Sequence, residues 1–456
     1  MVDEYSGPPY DVLILGGGLA GLSAGVSLVQ AGLRPLVLEA AKKPGGRARS
    51  FYDPVFGEVL DNGPHLLIGA YHSTLKLLKQ LGSRDLLLEG GRVNYQFWSR
   101  EGGWHKLNCP DWPAPLHLLA GVLGFSPLSI KDKLAALGLG TAFLVSRAAL
   151  ENRTVTQWLH AHGQGGQIFQ QLWSPLCLAA LNEPAGSANA ALFAEVLRQA
   201  FFRDRSAAKP LLPQAPLTKL IGEPARAFIE KNGGLVLTGQ RVKKIALTAK
   251  EVVGVSTGMW RFTKPPGVIS ALPYTSLAAL IPRWAESAGF SRLSSAPIVS
   301  VHMLYNSPAQ LPAPLVGLPF ATSQWLFDRS ISKNTREGFA PAASGARLSG
   351  VMSGAYREVQ WSRERLVAAV AEDIASLQPQ LPQSRLVAAR VIKERRATFS
   401  PWPQSSSLRP KAATPWQNMA VAGDWTATDL PATLEGATVS GERAARKILA
   451  FFGVDG

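Results

Sequence analysis

Asp11-Val12-Leu13-Ile14-Leu15-Gly16-Gly17-Gly18-Leu19-Ala20-Gly21 is the stretch that decides the fold. Its first half is a short continuous apolar run, as expected of a strand buried on both faces of a sheet. Its second half is Gly16-x-Gly18-x-x-Gly21. Leu22, Val26 and Val29 then recur at helical spacing, and Gly32 can stop that helix. Pro35-Leu36-Val37-Leu38 reads as a second strand with Glu39 at its end. The order strand, glycine turn, helix, strand is that of a dinucleotide-binding βαβ unit. Gly16 allows the tight turn, Gly18 lets the backbone approach a pyrophosphate, and Gly21 lets the helix pack close to the sheet. The helix N-terminus would face phosphates with unpaired N–H groups and its positive dipole end. Glu39, 18 residues past Gly21, can accept hydrogen bonds from both ribose hydroxyls. The plainer alternative is a glycine-rich turn in an ordinary α/β protein, with Glu39 a solvated strand end.

Two further segments narrow the ligand. Pro44-Gly45-Gly46-Arg47-Ala48-Arg49 follows Glu39. A glycine pair followed by arginines can wrap the flavin end of FAD and neutralise phosphate charge; otherwise it is a basic surface loop. Near the other end, Val421-Ala422-Gly423-Asp424-Trp425 reads as a strand running into Gly-Asp, and Leu430-Pro431-Ala432-Thr433-Leu434-Glu435-Gly436-Ala437 leads into a helix. There the Asp424 carboxylate can bond a ribitol hydroxyl. Gly436-Ala437 can open a helix whose dipole stabilises charge on a reduced flavin.

The rest of the chain fits around this unit. It has 456 residues, enough for two or three domains, with 46% apolar and 17% charged residues, a globular composition. The net charge of +15 favours an acidic partner, nucleic acid or an anionic membrane face. The basic residues are scattered without an aromatic–basic module, which disfavours nucleic acid. Cys109 and Cys177, the two cysteines, have no metal-ligand spacing, so neither a metal site nor a disulfide framework is expected and a reducing compartment fits. The N-terminus reads as lacking a signal peptide, and no apolar run reaches the roughly 18 residues of a spanning helix. Residues 95–215 are rich in Trp, Pro and Leu with helical patches. Strand character returns from Gly233 to Val255, suggesting a return to the nucleotide sheet. Pro297 to Tyr305 is another strand, Ser307 to Ser349 is loop-rich, Leu366 to Leu377 is an amphipathic helix, Asn418 to Ala422 a buried strand and Ser440 to Phe452 a final helix. The expected architecture is α/β, α+β overall: a Rossmann-like FAD-binding domain from 1–95, 215–280 and 395–456, with an interleaved, partly helical substrate domain from 96–214 and 281–394.

Taken together, the segments resemble the FAD-dependent amine oxidase and phytoene desaturase superfamily. Within it the chain is most similar to the squalene-associated FAD enzymes, the hydroxysqualene dehydroxylases of bacterial hopanoid and squalene pathways. That likeness is carried by Asp61-Asn62-Gly63-Pro64-His65, by Trp173-Ser174-Pro175-Leu176-Cys177-Leu178-Ala179-Ala180-Leu181-Asn182, and by the two C-terminal segments, the first extended to Thr426. The resemblance implies that Gly16, Gly18 and Gly21 cradle the pyrophosphate and that Glu39 holds the adenosine ribose. Gly46 and Arg47 would lie beside the phosphates or flavin, the backbone of Val242 would meet the adenine, Gly423 and Asp424 the ribitol or a phosphate, and Gly436 and Ala437 the flavin. Asp61 to His65 would run near the ring. Many amine oxidases place a lysine beneath the flavin on the strand that resembles Pro297 to Tyr305; here Ser300 is the nearest counterpart, which disfavours an amine substrate. The segment after Gly423 also lacks the tyrosine of an aromatic amine cage. The implied reaction is reductive: hydroxysqualene and reduced FAD give squalene, water and FAD.

Such chemistry needs a proton donor, aromatic faces for a cation and a dry pocket. Candidate donors are His65, Asp61 and Glu435. Each also has a plain role: a structural histidine, a turn cap, a helix cap. Trp173, Cys177 and Trp425 are candidate pocket residues, or core. Leu116 to Phe125 and Leu134 to Val145 are apolar runs with Lys131, Lys133 and Arg147 alongside. They suit insertion into one leaflet, or a lid, and make 116–147 a possible membrane contact for a cytoplasmic protein held at the inner face of the cell membrane. Squalene or hydroxysqualene synthases are possible partners. The rival functions are an oxidative isoprenoid desaturase, an amine or porphyrinogen oxidase, and a flavin-bound partner protein without turnover.

Overall fold

The computed structural model describes residues 3–143, 145–330 and 345–454. Leu144 of the second apolar run and residues 331–344 of the loop-rich stretch lie outside them. Val12–Leu15 forms the middle of a five-stranded parallel sheet in the order Leu235–Leu237, Pro35–Leu38, Val12–Leu15, Gly267–Ser270, Met419–Val421. Its side chains alternate between two cores. Val12, Ile14 and Val37 pack beneath the helices Leu19–Gln30, Glu223–Lys231 and Leu434–Phe451. Leu13, Leu15, Leu36 and Leu38 face a second core that contains Ile245, Val255, Phe262 and Trp284. Burial on both faces explains the unbroken apolar runs. The first and last helices touch at Gly441, where a Cβ would lie 2.2 Å from the Ala20 carbonyl oxygen.

A second sheet of seven strands runs Leu386–Phe399, Ser295–Tyr305, Arg347–Ser353, Trp325–Asp328, Leu315–Gly317, Asn94–Ser99, Gly103–Asn108. The helix Arg363–Leu377 covers one face through Leu366, Val370 and Ile374 against Val299, Val301 and Met303. The other face of Ser295–Tyr305 presents Ser300 and His302 to the loop after Asp61: a Cβ on Gly63 would lie 2.9 Å from Ser300 Oγ, and His302 Nε2 lies 3.1 Å from the Asp61 carbonyl oxygen. Helices between Leu116 and Phe202 complete this half.

Several expectations change. Of the strands read between Gly233 and Val255, only Leu235–Leu237 joins the nucleotide sheet; Lys244–Leu247 and Val252–Ser256 pair with Trp260–Thr263 in a separate antiparallel sheet. The loop-rich stretch contains two short strands and the start of a third, and the region after 95 opens with a hairpin. Asn94–Ser99 and Leu386–Phe399 both belong to the seven-stranded sheet, so we propose domain boundaries just before Asn94 and just after Phe399 rather than at 95 and 395. The last helix begins at Leu434, not Ser440, capped by the Thr433 side chain.

Candidate active site

The glycine turn folds as its sequence requires. Gly16 has φ +109°, and a Cβ at Gly21 would fall 2.0 Å from the Gly16 carbonyl oxygen. Only glycine satisfies either constraint. The Glu39 carboxylate accepts from the Gly17 amide at 2.8 Å and from the Ala41 amide at 2.7 Å, so it is fixed at the mouth of the turn. Each oxygen of a carboxylate has a second lone pair, which leaves capacity for ribose hydroxyls. The Gly45-Gly46 turn is stapled over the first: Gly45 donates to the Gly17 carbonyl at 2.8 Å, and a Cβ on Gly46 would lie 3.0 Å from Gly18 Cα. Gly239 and Gln240 donate to the Ala41 and Glu39 carbonyls, which brings Val242 beside Glu39. Neither the amide nor the carbonyl of Val242 is taken up by a hydrogen bond among the described residues, as a backbone that meets a base requires.

Arg47 reaches across to the C-terminal segment. Its guanidinium pairs with Asp424 at 2.7 Å and donates to the Ala397 carbonyl. The Asp424 side chain is buried, whereas that of Arg47 keeps 43% of its surface open although Asp424, Glu394 and Tyr274 surround it. It therefore lines a crevice. The amides of Asp424 and Trp425 have no hydrogen-bond partner among the described residues, and buried amides are seldom left so. Two orphan donors, two glycine turns in contact, and a carboxylate fixed at the first turn fit a dinucleotide cofactor running from Glu39 toward Asp424 and Gly436-Ala437.

His65 and Asp61 share a second, small cavity of about 50 Å³. Asp61 Oδ1 accepts from Ser50 Oγ at 2.6 Å and from the Leu217 amide at 3.0 Å. These bonds use Asp61 as an acceptor that ties its strand to Ser50 and Leu217. His65 Nδ1 lies 2.9 Å from the Gly63 carbonyl oxygen, so that nitrogen carries hydrogen and Nε2 is the one left to gain or lose a proton. Burial and the Arg47 charge push the His65 pKa down, against the Gly63 bond and the Asp61 charge. Leu212, Pro213, Pro314 and Phe327 supply the apolar wall of the cavity, continuous with a cluster of Leu315, Val351, Leu66 and Ile298.

Glu435 is elsewhere. Its oxygens accept from the Ser73 and Thr74 amides at 2.9 and 2.8 Å and from Thr74 Oγ1 at 2.8 Å. It caps the helix His72–Gln80, not the helix that it begins. It borders a larger cleft of about 480 Å³ with His72, Arg203 and Arg443. Burial raises its pKa against those bonds, but it does not meet His65. The expected pocket residues are core: Trp173 Nε1 donates to Gln164 Oε1, Trp425 Nε1 to the Leu272 carbonyl, and Cys177 is fully buried with its thiol pKa pushed well up by burial. An indole spends its one donor inside the fold, and an un-ionised buried thiol is inert.

Sequence reasoning missed three groups. His302 holds the Asp61 carbonyl from the neighbouring strand and accepts from Ser349 Oγ at 2.8 Å. Asn182, with φ +53°, bonds Ala296, Thr398 and Gly354 and so locks the helix Ser174–Leu181 to the seven-stranded sheet. Arg409, 5% exposed, lies under the Asp424 turn. None leaves a local spacing in the chain. Among the described residues no group of three or more His, Cys, Asp or Glu side chains could hold a metal ion.

Residues 19–449 match the family model of flavin containing amine oxidoreductases. Over 447 residues, 96% of this chain and 98% of the relative, the sequence is 31% identical to a hydroxysqualene dehydroxylase of Rhodopseudomonas palustris. It is 25% identical to a 15-cis-phytoene desaturase of Synechococcus elongatus, over 96% of each. The fold is similar to that of cyclohexylamine oxidase from Brevibacterium oxydans, with a TM-score of 0.69 at 17% identity over 98% of this chain and 100% of that one.

Proposed function

We propose, since this chain belongs to the flavin containing amine oxidoreductases and is an FAD-dependent oxidoreductase, that it removes the hydroxyl of hydroxysqualene to give squalene and water. The relative from Rhodopseudomonas supports that substrate class. The observation that carries the reading is the wall opposite His65. Ser295–Tyr305 contains no lysine and turns Ser300 toward the loop, while Leu212, Phe327 and the cluster behind them are apolar. Besides His65, the polar lining there is Asp61, Gln214, Asp328 and Arg329, and among the described lining residues no tyrosine or tryptophan forms an aromatic cage for an ammonium. A hydrocarbon with one hydroxyl would meet the apolar wall, with the His65 imidazole among the polar groups of the cavity.

In this reading the reduced flavin supplies the hydride. The protein binds the apolar chain, keeps water out and protonates the departing hydroxyl through His65 Nε2. The Asp61 charge beside His65 favours the imidazolium. Because burial lowers the His65 pKa, the imidazolium is scarce at neutral pH but a strong acid when present. FAD would lie along Gly16, Gly18, Gly21, Glu39, Gly46, Arg47, Val242, Gly423, Asp424, Gly436 and Ala437. The test is anaerobic: reduced enzyme is mixed with hydroxysqualene and the flavin spectrum is followed. Reoxidation with formation of squalene is expected, and a flavin that stays reduced with no squalene sinks the proposal. Oxidative desaturation, favoured by the phytoene desaturase relative, is read in the same apparatus with oxidised flavin and a saturated polyprenyl substrate.

The substrate dissolves in lipid, and we place its entry at the helices Leu116–Leu123 and Ile130–Leu137. Leu116, Leu123, Ile130, Leu134 and Leu137 are between 40% and 79% exposed. Ile130, Leu134 and Leu137 fall on one helical face, with Lys131 exposed beside them, the pattern of an interfacial helix. Among the described residues no helix is long and apolar enough to cross a membrane. Peripheral attachment to the inner face of a bacterial cell membrane, near the synthases that make the substrate for hopanoids, follows from this reading. Ile130→Glu with Leu134→Glu should abolish sedimentation with anionic vesicles; unchanged sedimentation refutes the contact.

A further inference from the structure

Arg409 is a buried cation whose hydrogen bonds all go to one turn. Its Nη2 donates to the carbonyls of Asp424 (3.1 Å) and Thr426 and to Thr428 Oγ1 (3.2 Å), and its Nε to the Trp425 carbonyl at 3.4 Å. Its other face lies 4.6 Å from the centre of the Phe399 ring. Among the described residues no carboxylate comes within ion-pair distance of it, because Asp424 turns its side chain to Arg47 instead. Three consecutive carbonyls thus converge on one guanidinium. In a trans peptide the N–H points opposite to the C=O. With the Asp424 carbonyl drawn toward Arg409, the Trp425 N–H is directed away from it, and the Asp424 amide beside it is likewise without a partner.

We propose that Arg409 is a positioning residue for FAD: by gripping the carbonyl side of Asp424–Thr426 it holds two unpaired amides and the Asp424 carboxylate in the geometry that the cofactor's oxygens need. A guanidinium suits this because its planar fork fixes several acceptors at once, which an ammonium cannot. Burial without a carboxylate lowers its pKa to about 10, still high enough to keep the charge at neutral pH. Its electrostatic effect is to polarise the peptides it holds and sharpen their donor ends. The inference rests on FAD binding alone and stands or falls independently of hydroxysqualene.

The test uses purified holoenzyme and three readouts: the rate of FAD release, followed by the fluorescence of the freed flavin, the midpoint potential of the bound flavin, and the urea midpoint from circular dichroism. Arg409→Lys keeps a charge but not the fork. We expect it to release FAD about tenfold faster and to shift the flavin potential, with its urea midpoint near that of the wild type. Arg409→Met, which keeps the volume, should release FAD faster still. Were Arg409→Met not to fold, Arg409→Lys would decide by itself. Wild-type release rate and potential in Arg409→Lys would overturn the proposal, and so would a fall in its urea midpoint with both flavin readouts unchanged.

Discussion

Replacing His302 by Gln should make the protein less sensitive to acid. The imidazole is 1% exposed, donates from Nε2 to the Asp61 carbonyl and accepts at Nδ1 from Ser349 Oγ. Burial, and then the charge of Arg329, lowers its pKa from 6.5 to about 3. The unfolded chain therefore takes up a proton below pH 6.5 that the folded chain refuses until about pH 3. Between those values the unfolded state binds more protons, so stability is lost as the pH falls. Going from pH 7 to pH 5 costs about 2 kcal/mol at this one residue. Glutamine can supply the same donor and acceptor without titrating. Urea unfolding of wild type and His302→Gln, followed by tryptophan fluorescence at both pH values, isolates the effect, since other titrations are common to the two proteins. The wild type should lose about 2 kcal/mol more than the variant. Equal losses, within about 0.5 kcal/mol, would mean that His302 charges inside the fold and that its pairing with Asp61 is misassigned.

Glu39→Ala should lower the FAD content of purified protein; unchanged flavin absorbance per chain would end the ribose assignment. Turnover of hydroxysqualene should rise as the pH falls from 8 toward 6, as the imidazolium of His65 becomes populated, and His65→Phe should abolish that rise; a pH-independent rate in the wild type would remove His65 as the donor. Asn182→Ala deletes three hydrogen bonds at a left-handed residue and should cost about 2–4 kcal/mol, measured by urea titration; a loss under about 1 kcal/mol would contradict the lock. Gly441→Ala forces a methyl against the Ala20 carbonyl and should destabilise by about 1–3 kcal/mol; wild-type stability there would mean that the two helices can part freely.

What the sequence revealed was what local geometry enforces. Gly16 and Gly21 could be read because a positive φ and a 2.0 Å approach admit no other residue. Glu39 could be read because strand length fixes where the chain leaves the sheet. The strands Leu315–Gly317 and Trp325–Asp328 were hidden because three or four residues cannot establish an alternation, and the pairing that ties them to the hairpin at Asn94–Ser99 joins residues over 200 apart. His302 and Arg409 were hidden for a related reason. A histidine within an apolar run and an arginine before a proline carry no mark of the carbonyls they hold, and in a chain with 47 Lys and Arg one more cation attracts no notice. Glu435 shows the opposite error: a helix was expected after it, but the carboxylate serves a helix over 350 residues away in sequence.

The edge strand Met419–Val421 and the helix that follows it complete a sheet whose centre is laid down by residues 12–38. At about 5–20 residues per second, a ribosome needs roughly 20–80 s to travel between the two. Throughout that interval the glycine turn can form, yet the face of Ile14 and Val37 lacks Ala444 and Ile448 and the crevice lacks Asp424. The nascent chain thus carries a half-built, sticky platform, and on the proposed FAD path its cofactor site is incomplete until the last helix is made. On the proposed FAD path, flavin loading is expected after translation, and nascent chains stalled before residue 419 should copurify with chaperones and carry no yellow colour.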